Sequence, residues 1–408
     1  MTKFSELPIS PAMLERIAAA GFSIPTPVQA AAIPHALEGK DVLATAQTGT
    51  GKTLAFLIPA LERLANHNVP GVAALILVPT RELAMQVVEQ HNALRNKKQQ
   101  AAVLVVGGMS EAAQLKSLRS GASVVVATPG RLEDFLGRRL VDLRAVQILV
   151  LDEADRMLDM GFLPAIRRIV SALPKKRQTL CFSATLEASV AHLVNDYMIN
   201  PVRVALGSTL KPAENVKVQA FEVTAQTKQD VLQRLLSKER GRCLVFTRTK
   251  RGTERLTRVL NRDGFAASMI HGDRSQSQRT AALAGFQQGK IRILVATDLA
   301  SRGIHVDDIA HVINYDLPAI PEDFIHRVGR TARAGGHGVA STLFELHQSM
   351  ELRQLERTLG IKIERKRGDS EPPVDRADPR LVAAVTPGVM GRKSTLVGLP
   401  GEILQNRR

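Results

Sequence analysis

AQTGTGKT, residues 46–53, joins the apolar run Val42-Leu43-Ala44 to a helical pattern that begins at Leu54. A strand, a glycine-rich turn and a helix in this order form a cradle for phosphate. Successive backbone N–H groups and the positive end of the helix point into that cradle. The sequence therefore predicts a nucleotide-binding loop at residues 46–53, around which the rest of a sheet is built.

Each residue of this loop has a predicted task. Gly49 and Gly51 allow the backbone to curl, Lys52 reaches the β- and γ-phosphates, and the Thr53 hydroxyl holds Mg²⁺. Further nucleotide contacts are predicted at Gln47, Thr48 and Thr50. Because Ala46 stands where the common pattern has glycine, an ordinary Gly/Thr-rich loop remains an alternative until an acidic metal-binding partner is found.

The composition indicates two domains and an anionic partner. A chain of 408 residues exceeds one compact core of usual size. The formal charge of +16 suits a polyanion, although basic surfaces also serve solubility alone. Aromatic residues make up 3% of the chain and Trp is absent, so any nucleic acid is expected to be held mainly by its sugar-phosphate backbone.

The location of the protein is predicted from its cysteines and its N-terminus. Cys181 and Cys243 lie in separate apolar runs, which indicates buried core residues and not a disulfide or a metal site. The segment MTKFSELPIS has no apolar signal core, and no apolar run approaches the ~20 residues that cross a bilayer. We therefore expect a cytoplasmic protein with no membrane association. A monomeric state is a separate expectation.

Short apolar runs alternate with helical patterns in two successive segments. The predicted strands are 42–44, 75–78, 103–106, 124–127, 148–151 and 179–182, then 243–246, 267–270, 291–296, 311–314 and 339–344. Near-continuous apolar runs indicate strands covered on both faces. Each segment is therefore predicted to be an α/β domain, a mostly parallel sheet with helices on both faces.

The predicted boundaries are a first domain at 1–206, a polar linker at 207–215, a second domain at 216–364 and a tail at 365–408. The tail has no aromatic residue and opens with the basic cluster Arg365-Lys366-Arg367. We predict that it is disordered. A solvated tail is the preferred interpretation, and a tail that binds RNA or contacts ribonucleoprotein or RNA-decay proteins is the alternative.

The apolar run 146–151 leads directly into Asp152-Glu153-Ala154-Asp155. A carboxylate at the end of a buried strand can hold the Mg²⁺ of a bound nucleotide. A second carboxylate beside it can orient or deprotonate a water for attack on the γ-phosphate. Asp152 suits the first role and Glu153 the second.

This tetrapeptide and AQTGTGKT together resemble the signature of the DEAD-box family of ATP-dependent RNA helicases (superfamily 2, bacterial type). Roughly residues 4–345 take part in the resemblance, which includes Ala46 as the family's own variant. It implies two tandem RecA-like domains. Other matching motifs, in the expected order, are PTREL at 79–83, GG at 107–108, TPGR at 128–131, SAT at 183–185, VFT at 245–247, ATD at 296–298, RG at 302–303 and HRVGRTAR at 326–333.

The resemblance also implies residue roles. Phe22 and Gln29 match the adenine-reading motif, where a side-chain amide can pair with adenine and favour ATP. Arg330 and Arg333 match arginine fingers, which a second domain supplies so that hydrolysis depends on domain closure. The residues implied to couple the nucleotide site to the other domain are Asp155, Ser183, Thr185 and His326.

RNA would be gripped through hydroxyls, glycine N–H groups and arginines, which contact phosphate and ribose and carry little base information. Binding of single strands and short duplexes is therefore expected to be independent of sequence, and the preference for RNA is implied by the family. The predicted contacts are Thr80, Arg81, Gly108, Thr128, Gly130 and Arg131 in the first domain, and Arg248, Gln276, Arg279, Thr297 and Gly303 in the second.

The chain departs from the family pattern at two positions. His305 replaces the usual Asp that contacts the ATP ribose, which predicts a modestly altered nucleotide affinity. Ala332 replaces a usual Gly, and the added methyl group is expected to matter little if that residue is helical.

The predicted function is RNA-stimulated hydrolysis of ATP with Mg²⁺, coupled to local, non-processive separation of RNA duplexes or remodelling of ribonucleoproteins. One alternative is an ATP-gated RNA clamp that uses the same motifs with little unwinding. Another is a DNA-directed translocase of the wider superfamily, which equal stimulation by single-stranded DNA and RNA would favour.

Overall fold

The computed structural model describes residues 3–46, 50–65, 71–96, 98–185, 188–205, 215–298, 309–332 and 336–368. The strands within these ranges are β1 (Val42–Thr45), β2 (Ala74–Leu77), β3 (Val103–Val105), β4 (Val124–Ala127), β5 (Ile148–Leu151), β6 (Gln178–Ser183), β7 (Val202–Ala205), β8 (Val216–Val223), β9 (Arg242–Phe246), β10 (Ala267–Ile270), β11 (Ile293–Ala296), β12 (Ile309–Asn314), β13 (Gly338–Glu345) and β14 (Glu364–Arg367).

The α-helices in the same ranges connect these strands. They are α1 (Pro11–Ala19), α2 (Pro27–Leu37), α3 (Lys52–Arg63), α4 (Arg81–Leu94), α5 (Glu111–Arg119), α6 (Pro129–Gly137), α7 (Ala154–Asp159), α8 (Leu163–Ser171), α9 (Ala188–Tyr197), α10 (Lys228–Lys238), α11 (Lys250–Arg262), α12 (Gln276–Gln287), α13 (Pro321–Val328) and α14 (Ser349–Leu359). No helix in the described part of the chain is both long enough and apolar enough to cross a membrane.

The first sheet has the order β3-β4-β2-β5-β6-β1-β7, and neighbouring strands pair in parallel. Alternate strand residues point to opposite faces, as the period of a strand requires. One face packs against α2, α3 and α4, and the other against α6, α7, α8 and α9. The predicted parallel sheet with helices on both faces is confirmed.

The second sheet repeats this arrangement with the order β10-β11-β9-β12-β13-β8-β14, again with parallel pairs. Helices α10 and α11 cover one face. Helices α12, α13 and α14 cover the other. Cys181 and Cys243 are free and buried in the two cores, as predicted.

The prediction of a disordered segment that begins at residue 365 is wrong for Arg365, Lys366 and Arg367. With Glu364 they form β14, which pairs with β8 at the edge of the second sheet. The Lys366 Nζ donates a hydrogen bond to Gln219 Oε1 at 3.0 Å. Backbone pairing at a sheet edge needs no apolar side chain, so an all-charged segment can form a strand there. Residues 369–408 lie outside the described ranges.

Candidate functional site

The strand order of the first sheet brings the predicted nucleotide residues together. Strands β5, β6 and β1 are neighbours, with Leu151 opposite Cys181 and Thr45 opposite Ser183. The carboxyl ends of these strands lie side by side. The loops at Ala46, Asp152 and Ser183 therefore lie together at that end of the sheet. Ligands of parallel α/β sheets bind at this end.

The described part of the phosphate loop has the geometry expected of a cradle. Lys52 begins α3, is buried, and its Nζ donates to the Ala46 carbonyl oxygen at 3.0 Å. Thr53 follows as the second residue of α3, while Thr50 precedes Gly51. Gln47, Thr48 and Gly49 lie outside the described residues.

Gln29 ties the start of α2 to this loop. Its Oε1 accepts from the Thr26 N–H, and its Nε2 donates to the Gly51 carbonyl, both at 2.9 Å. Gly51 has a φ of +86°, and a Cβ there would lie 2.5 Å from the Gln29 Nε2, so only glycine fits. Each polar atom of the amide keeps capacity for one more hydrogen bond, which suits an adenine contact. Phe22 is 37% exposed and is open to contact by a ligand.

Two buried carboxylates follow β5. Asp152 accepts a hydrogen bond from the Glu153 N–H at 3.0 Å. Burial raises the pKa of Asp152 to about 7, with Glu153 and Asp155 raising it further and Lys52 opposing them. A buried carboxylate with this little compensating positive charge fits a site for a divalent cation. Glu153 adopts a left-handed φ of +52°, an uncommon conformation that directs this buried side chain.

Asp155 links the end of β5 to the end of β6. Its Oδ2 accepts hydrogen bonds from the N–H groups of Ala184 and Thr185, both at 2.9 Å, and from the Thr185 hydroxyl at 3.3 Å. The Ser183 hydroxyl is buried and makes no hydrogen bond to any described residue. Of the two side chains predicted as links, Thr185 therefore contacts Asp155 and Ser183 does not.

The second domain presents a set of arginines at the carboxyl edge of its sheet. Arg330 is buried, and its Nε donates to the His326 carbonyl at 3.3 Å. Arg327, which the sequence analysis did not single out, binds both carboxylate oxygens of Asp298, with Nη2 to Oδ2 at 2.7 Å. It thereby fixes α13 to the loop after β11. Arg333, Gly303 and His305 lie outside the described residues.

Ala332 is not helical, contrary to the condition placed on it in the sequence analysis. Its φ is +55°, in the left-handed region that favours glycine. The methyl group therefore adds backbone strain beside Arg330, and the expectation of a small effect does not hold.

Residues of both domains line one cavity near the carboxyl ends of the strands. Arg156 of α7 lines it from the first domain, and the second domain contributes Phe246, Asp298, Asp323, His326, Arg327 and Arg330. The predicted arginine finger Arg330 therefore lines the same cavity as Arg156, which forms an ion pair with the predicted catalytic Glu153.

The predicted RNA contacts of the first domain follow β2, β3 and β4, beside the nucleotide strands. Thr80 caps α4 through the Leu83 N–H. The guanidinium of Arg81 lies directly over Gly108, where a Cβ would meet Nη1 at 2.1 Å. Arg131 pairs with Glu111 at 3.2 Å and Asp134 at 3.1 Å. The remaining two, at the start of α6, are Thr128 and Gly130.

The predicted contacts of the second domain follow β9, β10 and β11. Arg248 donates its N–H to Asp316 Oδ2 at 2.9 Å, and Thr297 is buried after β11. Gln276 and Arg279 of α12 instead reach the first domain. The Gln276 Nε2 donates to Glu82 Oε1 at 3.1 Å, and the Arg279 Nη2 lies 3.0 Å from Glu82 Oε2.

Sequence reasoning missed Glu82 as a functional candidate. It is 2% exposed on the first turn of α4, and it joins α4 to α12 across the domains. Its position in the PTREL motif, next to Arg81, was the available signal. The assignment of Gln276 and Arg279 to RNA stays a prediction.

Comparisons with known proteins agree with this geometry. The family model described as "DEAD/DEAH box helicase" matches residues 26–193, and "Helicase conserved C-terminal domain" matches residues 227–335. The chain is 40% identical over 366 residues to the DEAD-box ATP-dependent RNA helicase CshA of Bacillus cereus, covering 90% of this chain and 70% of that protein. It is 45% identical over 351 residues to DEAD-box ATP-dependent RNA helicase 14 of Arabidopsis thaliana, covering 84% and 56%.

Solved structures show the same two-domain fold. S. cerevisiae Dbp5 bound to RNA and ADP BeF3 is 31% identical, with a TM-score of 0.82 and coverage of 90% of this chain and 96% of that one. A DEAD box protein from Methanococcus jannaschii is 40% identical, covers 90% and 99%, and gives a TM-score of 0.54. The TM-score is higher for the Dbp5 structure than for the Methanococcus jannaschii protein, although the sequence identity is lower. The chain belongs to the DEAD-box family of ATP-dependent RNA helicases.

Proposed function

We propose that this chain hydrolyses ATP in response to RNA and uses the cycle to separate short RNA duplexes locally. The observation that carries the proposal is a cavity lined by both domains, with Arg156, the ion-pair partner of the buried Glu153, on one side and Arg330 on the other. Neither domain alone holds both sets of groups. Hydrolysis would then depend on domain closure, which RNA bound across both domains favours.

Each residue of the site has a proposed role in ATP binding or hydrolysis. Lys52 and the loop at 46–53 would bind the β- and γ-phosphates, with Gln29 and Phe22 at the adenine. Glu153 would orient a water whose oxygen bonds to the γ-phosphorus as the bond to the ADP oxygen breaks, and would accept a proton from it. Arg330 and Arg333 would stabilise the charge on the transferred phosphoryl group.

Mg²⁺ would be held by the Thr53 hydroxyl and Asp152, together with phosphate oxygens and water, and would neutralise charge on the β- and γ-phosphates. Asp155 would couple the state of the nucleotide site to the conformation of the loop after β6, because it accepts hydrogen bonds from Ala184 and Thr185. The predicted RNA contacts at the ends of β2, β3, β4, β9 and β11 would hold one strand by its backbone.

We infer domains at 1–206 and from 216 to the end of β14, joined by the linker at 207–215. That β14 completes the second sheet supports placing it in the second domain. A cytoplasmic location, a monomeric state and contacts of residues 369–408 with ribonucleoprotein or RNA-decay proteins remain predictions from the sequence.

The proposal is tested by measuring ATPase rate with and without RNA, beside separation of a short RNA duplex, for the wild type and Glu153→Gln. We expect RNA stimulation and strand separation in the wild type and loss of both in the variant. ATPase independent of RNA, or full activity in Glu153→Gln, would contradict the mechanism. Equal stimulation by single-stranded DNA would contradict the RNA assignment, and ATPase without strand separation would indicate a clamp.

A further inference from the structure

Arg156 is an energetically unfavourable buried residue that the proposed mechanism does not use. Its side chain is 1% exposed, and its Nε, Nη1 and Nη2 donate no hydrogen bond to any described residue. Burial of a guanidinium without hydrogen bonds costs free energy, whereas an apolar side chain of similar volume would stabilise this position. The stability of the fold therefore does not explain why arginine stands here.

Arg156 forms an ion pair with the proposed catalytic base. Its Nη1 lies 3.7 Å from Glu153 Oε2, an ion pair between two almost fully buried side chains. The two residues are three positions apart at the start of α7, so they lie on the same side of the helix. The contact engages the Oε2 oxygen of the carboxylate.

The second domain provides the cover over Arg156. The cavity that Arg156 lines is completed by Asp298, Asp323, His326 and the two arginines of the HRVGR segment. The carboxylate of Asp298 is already bound by Arg327 through both oxygens. The carboxylate of Glu153 lies within 4 Å of the Arg156 guanidinium.

We propose that Arg156 is a positioning residue that orients the Glu153 carboxylate, and that it does so when the second domain covers it. Closure excludes water from the ion pair and so strengthens the attraction between the two groups. The same movement that delivers Arg330 would thus fix the base. This inference rests on the proposed RNA-stimulated ATPase activity.

The test replaces Arg156 by methionine, which keeps much of the volume and removes the charge. We expect an unchanged or higher melting temperature, because an unsatisfied buried charge is removed. Half-saturating ATP and RNA concentrations are expected to stay within about twofold, whereas kcat at saturating RNA falls about tenfold. Arg156→Lys is expected to retain most of kcat, because it keeps a positive charge near Oε2. Arg144→Met is the control, since Arg144 is 87% exposed and pairs with the nearby Asp142.

A double-mutant cycle with Glu153→Gln separates positioning from a structural role. If Arg156 acts through Glu153, Arg156→Met lowers the single-turnover rate of Glu153→Gln by less than about twofold. Multiplicative losses, a wild-type kcat in Arg156→Met, a lower melting temperature or a shift only in half-saturating RNA would each overturn the inference. Absence of RNA-stimulated ATPase in the wild type would refute the proposed function itself. Failure of the Arg156 inference can therefore be distinguished from failure of the proposed function.

Discussion

The contact of Glu82 with Arg279 predicts how RNA dependence should change when one charge is removed. Glu82 is 2% exposed and the Arg279 side chain 11%, with the two charged groups 3.0 Å apart. Burial lowers the pKa of Arg279, and the Glu82 charge raises it. In Glu82→Gln the guanidinium would be buried in the closed arrangement without a charge partner. When the domains separate, water would solvate both groups, so the cost applies to closure and not to the folding of either domain.

The magnitude follows from these observations. Breaking a buried ion pair costs about 3–5 kcal/mol. Because Arg279 keeps some contact with solvent and Gln can still accept a hydrogen bond, we take about 2 kcal/mol. A loss of about 2 kcal/mol in the free energy of domain closure corresponds to about a 30-fold rise in the RNA concentration that gives half of the maximal ATPase rate. The rate at saturating RNA is expected to change little.

The assay is RNA-stimulated ATPase titrated with a short single-stranded RNA. Glu89→Gln, an exposed substitution on the same helix, is the matched control and is expected to behave as the wild type. A cycle with Arg279→Gln should give a coupling energy above about 1 kcal/mol. Additive effects, or weakened RNA binding in Arg279→Gln together with wild-type RNA binding in Glu82→Gln, would refute the interdomain contact and favour a direct contact of Arg279 with RNA.

Three further outcomes are expected. Ala332→Gly should raise the stability of the second domain by about 0.5–1 kcal/mol in thermal unfolding, because it relieves left-handed strain, less the entropy that Gly adds to the unfolded chain; no change would contradict the strain argument. Burial lowers the pKa of His311 to about 4 from 6.5, so its contribution to stability is complete above pH 6.5 and is lost as pH falls towards 4. The second domain should lose up to about 3 kcal/mol over that window, and denaturant unfolding of His311→Asn should show a flatter pH dependence. Thr185→Val should reduce strand separation per ATP hydrolysed more than Ser183→Ala, because only Thr185 contacts Asp155; equal effects would argue against that link.

The sequence predicted the central strands and the site loops well, for a physical reason. Central parallel strands are buried on both faces, so β2, β4, β5 and β11 are apolar throughout, β9 is apolar after Arg242, and these strands stand out in the sequence. The polar residues that follow them fall on one edge of the sheet, because parallel strands all end there. Placement of Asp152 beside the phosphate loop needed no further information.

The strands that were not predicted have alternating or charged sequences instead of continuous apolar runs. The strands β7, β8 and β14 lie at or next to sheet edges, where one side of the backbone or one face of the strand is open to solvent, so alternating or charged sequences are allowed.

Contacts between distant residues also escaped prediction. Glu82 and Arg279 are 197 positions apart, and charged residues at helix starts are usually solvated. The neighbouring sequence does not distinguish the buried Arg156 from a surface arginine. It also does not reveal the left-handed backbone at Ala332. Both features depend on how the second domain packs in the folded protein.

The charged strand β14 has a consequence for how the protein behaves in concentrated solution. An uncovered strand presents unpaired backbone N–H and C=O groups that can recruit a strand of another molecule. β14 covers β8, an eight-residue strand with alternating apolar side chains, and offers only Glu, Arg, Lys and Arg at the new edge. A chain shortened before Glu364 would expose β8 and should aggregate, so truncations meant to remove the tail should retain residues through Gly368.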